Sequence, residues 1–379
     1  MYMNRAVIVG TDHHNTLGLV ESLAEKNVMP YVILHTQHSD GYVLHSKYII
    51  KGWCCPDESA IIKCLLDNFK DKTNKTVILT TSDNVADIID RNSGILDQYF
   101  YLSTTHPYGN LANWMSKEKM SETAREVGLN VPTTWLLNND KIPKDITYPV
   151  ITKAISSIEG TKANISVCRC EKDLELFLKK QHCKTIQIQK FIDKEFEFQL
   201  IGCSLNEGST VFIPGRTHID RPNGMDNTFF LRFDKCEEEF DSTIEKAKAF
   251  VKITRYTGPF SIEFLKDKND GKFYFTEMNF RNDGNAYCVT ASGTNIPYIL
   301  FLAMTGGNYM REIEKSTVKT TYLCPEVYYF TCLLKREFGG AEWLRNMKKT
   351  TCYTTLHKND IMPFLWFIWL AIKKRICKL

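Results

Sequence analysis

The residues of this chain best suited to chemistry stand on a hairpin near its middle. Phe260-Ser261-Ile262-Glu263-Phe264 leads to a turn at Asn269-Asp270-Gly271, and the return strand runs from Phe273 to Arg281. Successive side chains of a strand point to opposite faces, so Glu277, Asn279 and Arg281 share one side. A three-residue loop with Gly271 at the left-handed position pairs Lys268 with Lys272 and sets Glu263 opposite Glu277. The same register stacks Ile262 and Phe264 with Met278 and Phe280 as a core face. Two carboxylates facing one another on a sheet repel. A cation between them removes that penalty, and two Glu with one Asn form an oxygen-only set suited to magnesium. The alternative is a two-residue loop at Asp270-Gly271, which pairs Glu263 with Met278 and leaves an ordinary solvated polar face.

The chain around this hairpin has 379 residues, enough for two or three domains. Its hydrophobic fraction of 43% and charged fraction of 24% are those of a soluble globular protein. A formal charge of +4, from 48 basic and 44 acidic residues, gives no basis for nucleic-acid binding. The 13 Cys are scattered and lack C-x-x-C pairs, which argues for reduced thiols in a cytoplasmic protein rather than a disulfide framework or zinc site. The nine His show no metal-binding spacing. The opening MYMNRAVIVGTD runs straight into a strand, with no signal-peptide pattern.

Strand and helix alternate over the first 105 or so residues: Ala6 to Gly10, a helix from Leu17 to Lys26, Tyr31 to Leu34, a helix from Glu58 to Phe69, and Thr76 to Thr81. This is the pattern of a parallel α/β domain. Its first turn, Gly10 to Gly18, has no G-x-G-x-x-G, so it does not read as a dinucleotide site. A helix follows from Ser116, which can cap it, to Val127, with Gly128 as the stop. Strands at Thr133 to Leu137, Pro149 to Ala154, Asn164 to Arg169 and Thr185 to Ile192 enclose an amphipathic helix, Glu171 to Lys180. Phe196 to Cys203 and Thr210 to Ile213 add antiparallel strands, a long loop is expected over Pro214 to Thr228, and Ser242 to Arg255 is a helix leading into the hairpin. No repeat or low-complexity segment is present.

From about Ser116 to Gly306 the ordered segments S-K-E-K-M, G-L-N-V-P-T-T, Y-P-V-I-T-K, I-Q-K-F-I, I-E-F, E-M-N-F-R and A-S-G-T-N-I-P resemble the ATP-grasp superfamily. The resemblance implies a fold of mixed α/β and α+β character: an N-terminal parallel α/β domain over 1–112, an ATP-grasp domain over 113–310 with a small lid subdomain at about 130–190, and a C-terminal extension over 311–379. It implies ATP and Mg2+ as cofactors, with Mn2+ as an alternative ion. Lys117 and Lys153 are similar to the family's phosphate-contacting lysines. Ser156, Ser157 and Gly160 stand in the segment resembling the phosphate lid. Gln189, Lys190, Phe191 and Ile192 resemble the strand that holds adenine, the base being read by backbone groups of Lys190 and Ile192. Glu195, or Glu197 if the gap falls differently, resembles the acid that binds ribose. Glu263, Glu277 and Asn279 match the metal ligands, and Arg281 the residue that steadies the transferred phosphoryl group.

Most enzymes of this fold activate a carboxylate as an acyl phosphate, which an amine then displaces. Arg216 and Arg221 on the expected long loop, and Arg232 after it, could pair with a substrate carboxylate or the acyl phosphate, Arg216 and Arg221 thereby acting in catalysis. Asn295 resembles a substrate-side position. H-S-K-Y at His45 to Tyr48, T-T-S-D at Thr80 to Asp83 and the R-x-x-x-x-R-P-x-x-G loop look most like the carboxylate–amine ligases related to D-aspartate ligase. That likeness implies a small-molecule carboxylate and an amine acceptor on a cell-envelope or polysaccharide precursor. Two other functions stay open: a small-molecule kinase on the same fold, and a nucleotide-binding protein without catalysis, against which the intact hairpin set argues. Family habit alone suggests a homodimer. Finally, Ile361 to Ile372 is almost wholly apolar and ends in Lys373-Lys374-Arg375. It is too short to span a bilayer. A terminal helix packed on the body is the preferred reading; peripheral contact with the inner face of a membrane is the alternative.

Overall fold

A computed structural model of the chain describes residues 5–138, 142–153, 166–180, 185–220 and 230–376. Of the sequence-derived site residues, Ser156, Ser157, Gly160 and Arg221 lie outside these ranges, as does the side chain of Lys153.

Among the described residues, sixteen strands form three sheets: β1 (Ala6–Gly10), β2 (Tyr31–His35), β3 (Gly52–Cys55), β4 (Thr76–Thr80) and β5 (Phe100–Leu102) in the first; β6 (Thr134–Asn138), β7 (Val150–Lys153), β8 (Ser166–Cys168) and β9 (Thr185–Lys190) in a second, smaller one; and β10 (Lys194–Leu205), β11 (Thr210–Asp220), β12 (Phe230–Asp234), β13 (Gly258–Asp267), β14 (Phe273–Asn279), β15 (Thr321–Cys324) and β16 (Cys352–Tyr353) in the third. The first sheet is parallel in the order β3-β2-β1-β4-β5. Its central strands, AVIVG and TVILT, are buried at every position, as expected when helices cover both faces. The helix after β1 begins at His14, three residues before the sequence suggests. Its N-cap is His13, whose Nδ1 accepts the Asn15 N–H at 3.2 Å, and a histidine cap carries no strong sequence signal.

The central sheet, in the order β14-β13-β10-β11-β12-β15-β16, positions the chemistry. Phe198, Leu200, Phe260, Ile262, Phe264, Phe275 and Met278 point to one face and pack with Phe240 and Phe250 into a buried core. The helices Lys117–Glu126 and Asp241–Thr254 cover that face. The first of these stops at Gly128 (φ +79°), whose neighbour Leu129 donates back to Ala124 O at 2.9 Å. Ser116 occupies its N-cap position, but its side chain makes no capping bond.

The hairpin departs from the sequence reading in a way that leaves its chemistry intact. Its loop has four residues, not three: Asp267 N donates to Lys272 O at 3.0 Å, and Gly271 N (φ +68°) to Asp267 O at 3.0 Å. The pairing near the loop is therefore shifted by one, with Phe264 opposite Phe275. A bulge at Thr276 restores the register, so Glu263 does face Glu277 and Ser261 faces Asn279. The Thr276 hydroxyl donates to Glu263 O at 3.0 Å across the bulge.

The expected long loop over Pro214 to Thr228 is also corrected. β11 continues through this segment to Asp220, with Arg216 and His218 paired to β12. The segment after residue 310 is not a loose appendage, since β15 and β16 complete the central sheet. The terminal helix, Met362–Ile376, packs on the body: the Trp366 ring stacks on His45 at 3.9 Å and Phe367 meets Tyr42 edge-on at 5.0 Å. Leu365, Trp369 and Ile372 remain exposed on its outer side. Among the described residues no helix is long and apolar enough to cross a membrane, and the described cysteines are free thiols.

Candidate functional site

The cleft is built where β1 and β4 end. β1 has β2 on one side and β4 on the other, so the crossovers leave it in opposite directions, and ligands favour the carboxyl ends of strands at such a switch point. The following turns, Thr11 to Asn15 and Thr81 to Asp83, line a cleft of about 680 Å3 together with Gln199, Glu263, Arg281 and the 283–285 loop. The C-terminal extension closes another side with Tyr328, Thr354, Thr355 and Phe367.

On the cleft face of the central sheet, Glu277, Glu263 and Gln199 form a row across β14, β13 and β10. Gln199 donates to Glu263 Oε1 at 3.0 Å and accepts from Asn285 Nδ2 at 3.0 Å. Burial, and then the facing Glu277, push the Glu263 carboxyl well above the usual range, although the Gln199 bond pulls the other way. Asn279 lies one pleat along. Its Nδ2 approaches Ser261 Oγ at 3.2 Å and Glu263 Oε1 at 3.4 Å, while its Oδ1 accepts from Arg281 Nη2 at 3.1 Å.

Arg281 has further anionic neighbours. Its Nε lies 3.3 Å from Asp83 Oδ1 and its Nη1 3.3 Å from Asp283 Oδ2. Burial alone would lower its pKa, but Asp83, Asp283, Glu263 and Glu277 outweigh that and raise it, so the guanidinium is a fixed positive charge. Asp283 is itself held by the Ser261 hydroxyl at 2.8 Å and the Asn285 N–H at 2.8 Å. His13 contributes a different kind of group. Burial, followed by the charge of Arg281, lowers its pKa, so it is a neutral imidazole. With Nδ1 accepting from Asn15, the proton belongs on Nε2, which makes His13 a donor beside the arginine. Burial drives the neighbouring His14 down to about 3.

The nucleotide-associated residues sit on a second wall. The chain passes from β9 through Phe191, Ile192 and Asp193 into β10, so Gln189 to Ile192 connect the small sheet to the central one. Lys190 donates its N–H to Thr133 O at 2.8 Å, so that group does not read a base edge. Lys153 ends β7 opposite Gln187, and Lys117 begins the helix that packs on β14. Glu195 falls in a bulge of β10 and lies 3.7 Å from Lys266. Glu197 shares the Glu263 face and adds to the raised pKa there.

Three residues assigned to the substrate side stand elsewhere. Arg216 pairs with Leu200 and therefore points to the core face, away from Glu263. There its guanidinium makes two-point contact with Glu237 at 2.8–3.0 Å and lies 4.3 Å over the Phe240 ring. Arg232, opposite His218, shares that face and pairs with Asp234. Asn295 is buried as a helix N-cap, accepting the Tyr298 N–H at 3.0 Å and donating to Ser22 O at 2.5 Å. The sequence reading puts Arg216 on a loop and Arg232 just after it, and the strands β11 and β12 impose the alternation that turns them away.

Comparison with solved structures decides the architecture. L-amino acid ligase from Bacillus licheniformis superposes with a TM-score of 0.66 over 85% of this chain and 80% of its own, at 16% identity. Biotin carboxylase from Campylobacter jejuni, solved as a complex with an ATP analogue, gives 0.67 over 84% and 75%, at 18% identity. The fold is ATP-grasp. No family model matches the sequence. Among characterised proteins, D-aspartate ligase of Enterococcus faecium is 22% identical over 283 residues, which is 69% of this chain and 65% of that ligase. Asp12, His13, Asp83, Gln199, Asp283 and Asn285 are among the cleft residues that sequence reasoning did not assign. The signal that points to Asp12 and His13 is topological, the loop after β1; Asp83 ends the T-T-S-D segment after β4, and Gln199, Asp283 and Asn285 come from β10 and from the loop after β14.

Proposed function

We propose that this chain is an ATP- and magnesium-dependent ligase that joins a carboxylate to an amine with release of ADP and phosphate. The observation that carries the proposal is the facing pair Glu263 and Glu277, beside an Arg281 held between Asp83 and Asp283, in a cleft large enough for small substrates. The donor set fits magnesium. Burial, and then its carboxylate neighbour Glu277, raise Glu263, and a cation is what would bring it back to the ionised state. Rotating the Asn279 amide turns its oxygen toward Glu263, and the two orientations of an amide differ only in hydrogen bonding. Bound there, the ion would neutralise phosphate charge as the γ-phosphoryl group moves.

The protein's own groups do the remaining work. Arg281 has a fixed charge and a forked donor set with which to hold the transferred phosphoryl oxygens. Lys117 and Lys153 stand at the nucleotide side, with Gln189 to Ile192 for the base and Glu197 better placed than Glu195 for the ribose. The substrate carboxylate oxygen attacks the γ-phosphorus as its bond to the β,γ-bridging oxygen breaks, giving an acyl phosphate and ADP. The amine nitrogen then bonds to the acyl carbon as the carbon–oxygen bond to phosphate breaks, and its protons leave with phosphate and solvent. The cleft, with His13 as a donor beside Arg281, replaces the arginine loop as the place where the carboxylate binds. The likeness to D-aspartate ligase and L-amino acid ligase supports an amino acid as that substrate.

Hydroxylamine in place of the amine tests the reading. With ATP, magnesium and a panel of amino acids and dicarboxylates, one acid should yield a hydroxamate together with ADP. ADP formed with a phosphorylated substrate and no hydroxamate would make the chain a kinase.

A further inference from the structure

The cleft has two chemically different ends. One carries Glu263, Arg281 and Asp283. At the other, the loop after β1 presents Asp12 beside Tyr42, on which Phe367 of the C-terminal extension packs. Resting on the ligase reading, we propose that Asp12 anchors the amine acceptor as its ammonium ion, so that acceptors carrying a positive charge in solution are selected over neutral nucleophiles.

Four observations support this. The Asp12 carboxylate is fixed: Oδ2 accepts the Tyr42 N–H and Oδ1 the Val43 N–H, both at 3.1 Å. Each oxygen keeps lone-pair capacity for a further donor. Among the described residues no lysine or arginine forms an ion pair with it, in contrast to Asp83 and Asp283, which share Arg281. The nearby His45 is committed to Asp40 at 3.0 Å and stacked on Trp366. Finally, the walls are aromatic, with Tyr42 and Phe367 in edge contact at 5.0 Å, and ring faces with a carboxylate are the ordinary surroundings of a bound ammonium. Gly41 permits the arrangement, since a Cβ there would lie 2.6 Å from the Asp12 Cγ.

The alternative is that Asp12 only staples the 41–45 turn. Hydroxylamine, largely uncharged near neutral pH, and ethylamine, largely protonated, separate the two. With the acid that gives a hydroxamate, Asp12→Asn should lower the ratio of kcat/KM for ethylamine to that for hydroxylamine by about tenfold or more, through KM. A staple would lower both together and leave the ratio unmoved, which overturns the proposal. Wild-type enzyme gives a second reading that needs no variant. Ethylammonium chloride should inhibit hydroxamate formation competitively against hydroxylamine, and ethanol at the same concentration should not. Equal inhibition by both, or by neither, also overturns it. Absence of hydroxamate with every acid is a separate result: it removes the ligase reading, and this inference with it.

Discussion

Asn15 and Asn282 exchange side-chain amides across the junction between the first sheet and the hairpin. Asn282 Nδ2 donates to Asn15 Oδ1 at 2.6 Å, and Asn15 Nδ2 donates to Asn282 O at 2.6 Å and to Thr81 O at 2.8 Å. Asn282 N donates in turn to Thr80 O at 3.1 Å. Asn282 lies between Arg281 and Asp283, so this pair fixes those two residues against the turns after β1 and β4. Both asparagines are buried, and removing either leaves unpaired polar groups.

Asn282→Ala is therefore expected to cost about 1–3 kcal/mol in urea unfolding. It should also slow turnover by about tenfold or more through misplacement of Arg281. A variant that loses stability but keeps full kcat would show that the pair serves folding alone.

Glu277→Gln keeps the shape of the hairpin and removes one of its facing charges. Turnover should fall by about a hundredfold or more. ATP binding measured by calorimetry should lose its dependence on magnesium, and a chelator should silence the wild type in the same way. Unaltered turnover in Glu277→Gln would remove the metal assignment.

Arg216→Ala separates the sequence reading from the geometry. On the core face the side chain packs on Phe240 and pairs with Glu237, so its loss should cost stability, about 1–2 kcal/mol. The KM for the carboxylate should stay as in the wild type. A large rise in that KM at unchanged melting temperature would restore Arg216 to the substrate site.

These residues also show what was legible in the sequence. Glu263, Glu277 and Asn279 were recognisable because period-two alternation and residue type agree, and the bulge at Thr276 cancelled the misjudged loop length. Arg216 was misplaced because Pro214 and Gly215 look like a loop opening, whereas pairing with β10 and β12 carries the strand through them. His13 was invisible because a lone histidine after a strand has no motif. Only the sheet order, which makes the end of β1 a switch point, gives it a place in the cleft.

A pH dependence follows from the buried carboxyl pair Glu21 and Asp360. Burial, and next the Asp360 carboxylate, push Glu21 from the ordinary 4.5 up to about 9. Glu21 Oε1 and Asp360 Oδ2 find no donor among the described residues, and one proton shared between them satisfies both. Lys47 N donates to the other Asp360 oxygen at 3.3 Å, and Glu25, Tyr287 and His357 complete the surroundings. The folded value lies above the unfolded one, so this stabilisation is complete below about pH 4.5 and is lost as pH rises through about 9. The slope is at most about 1.4 kcal/mol per pH unit. Glu21→Gln, whose amide donates at any pH, should flatten the fall in stability across that range. Parallel stability curves for the two proteins would contradict the shared proton.

The central claim is that the γ-phosphoryl group passes to a carboxylate held in the cleft. Heavy oxygen placed in the carboxylate of the acid that gives a hydroxamate follows that transfer directly. After turnover with an amine, mass spectrometry of the released phosphate should find one labelled oxygen per molecule, derived from the acid. Phosphate carrying no label, with the amide still formed, would contradict activation through an acyl phosphate.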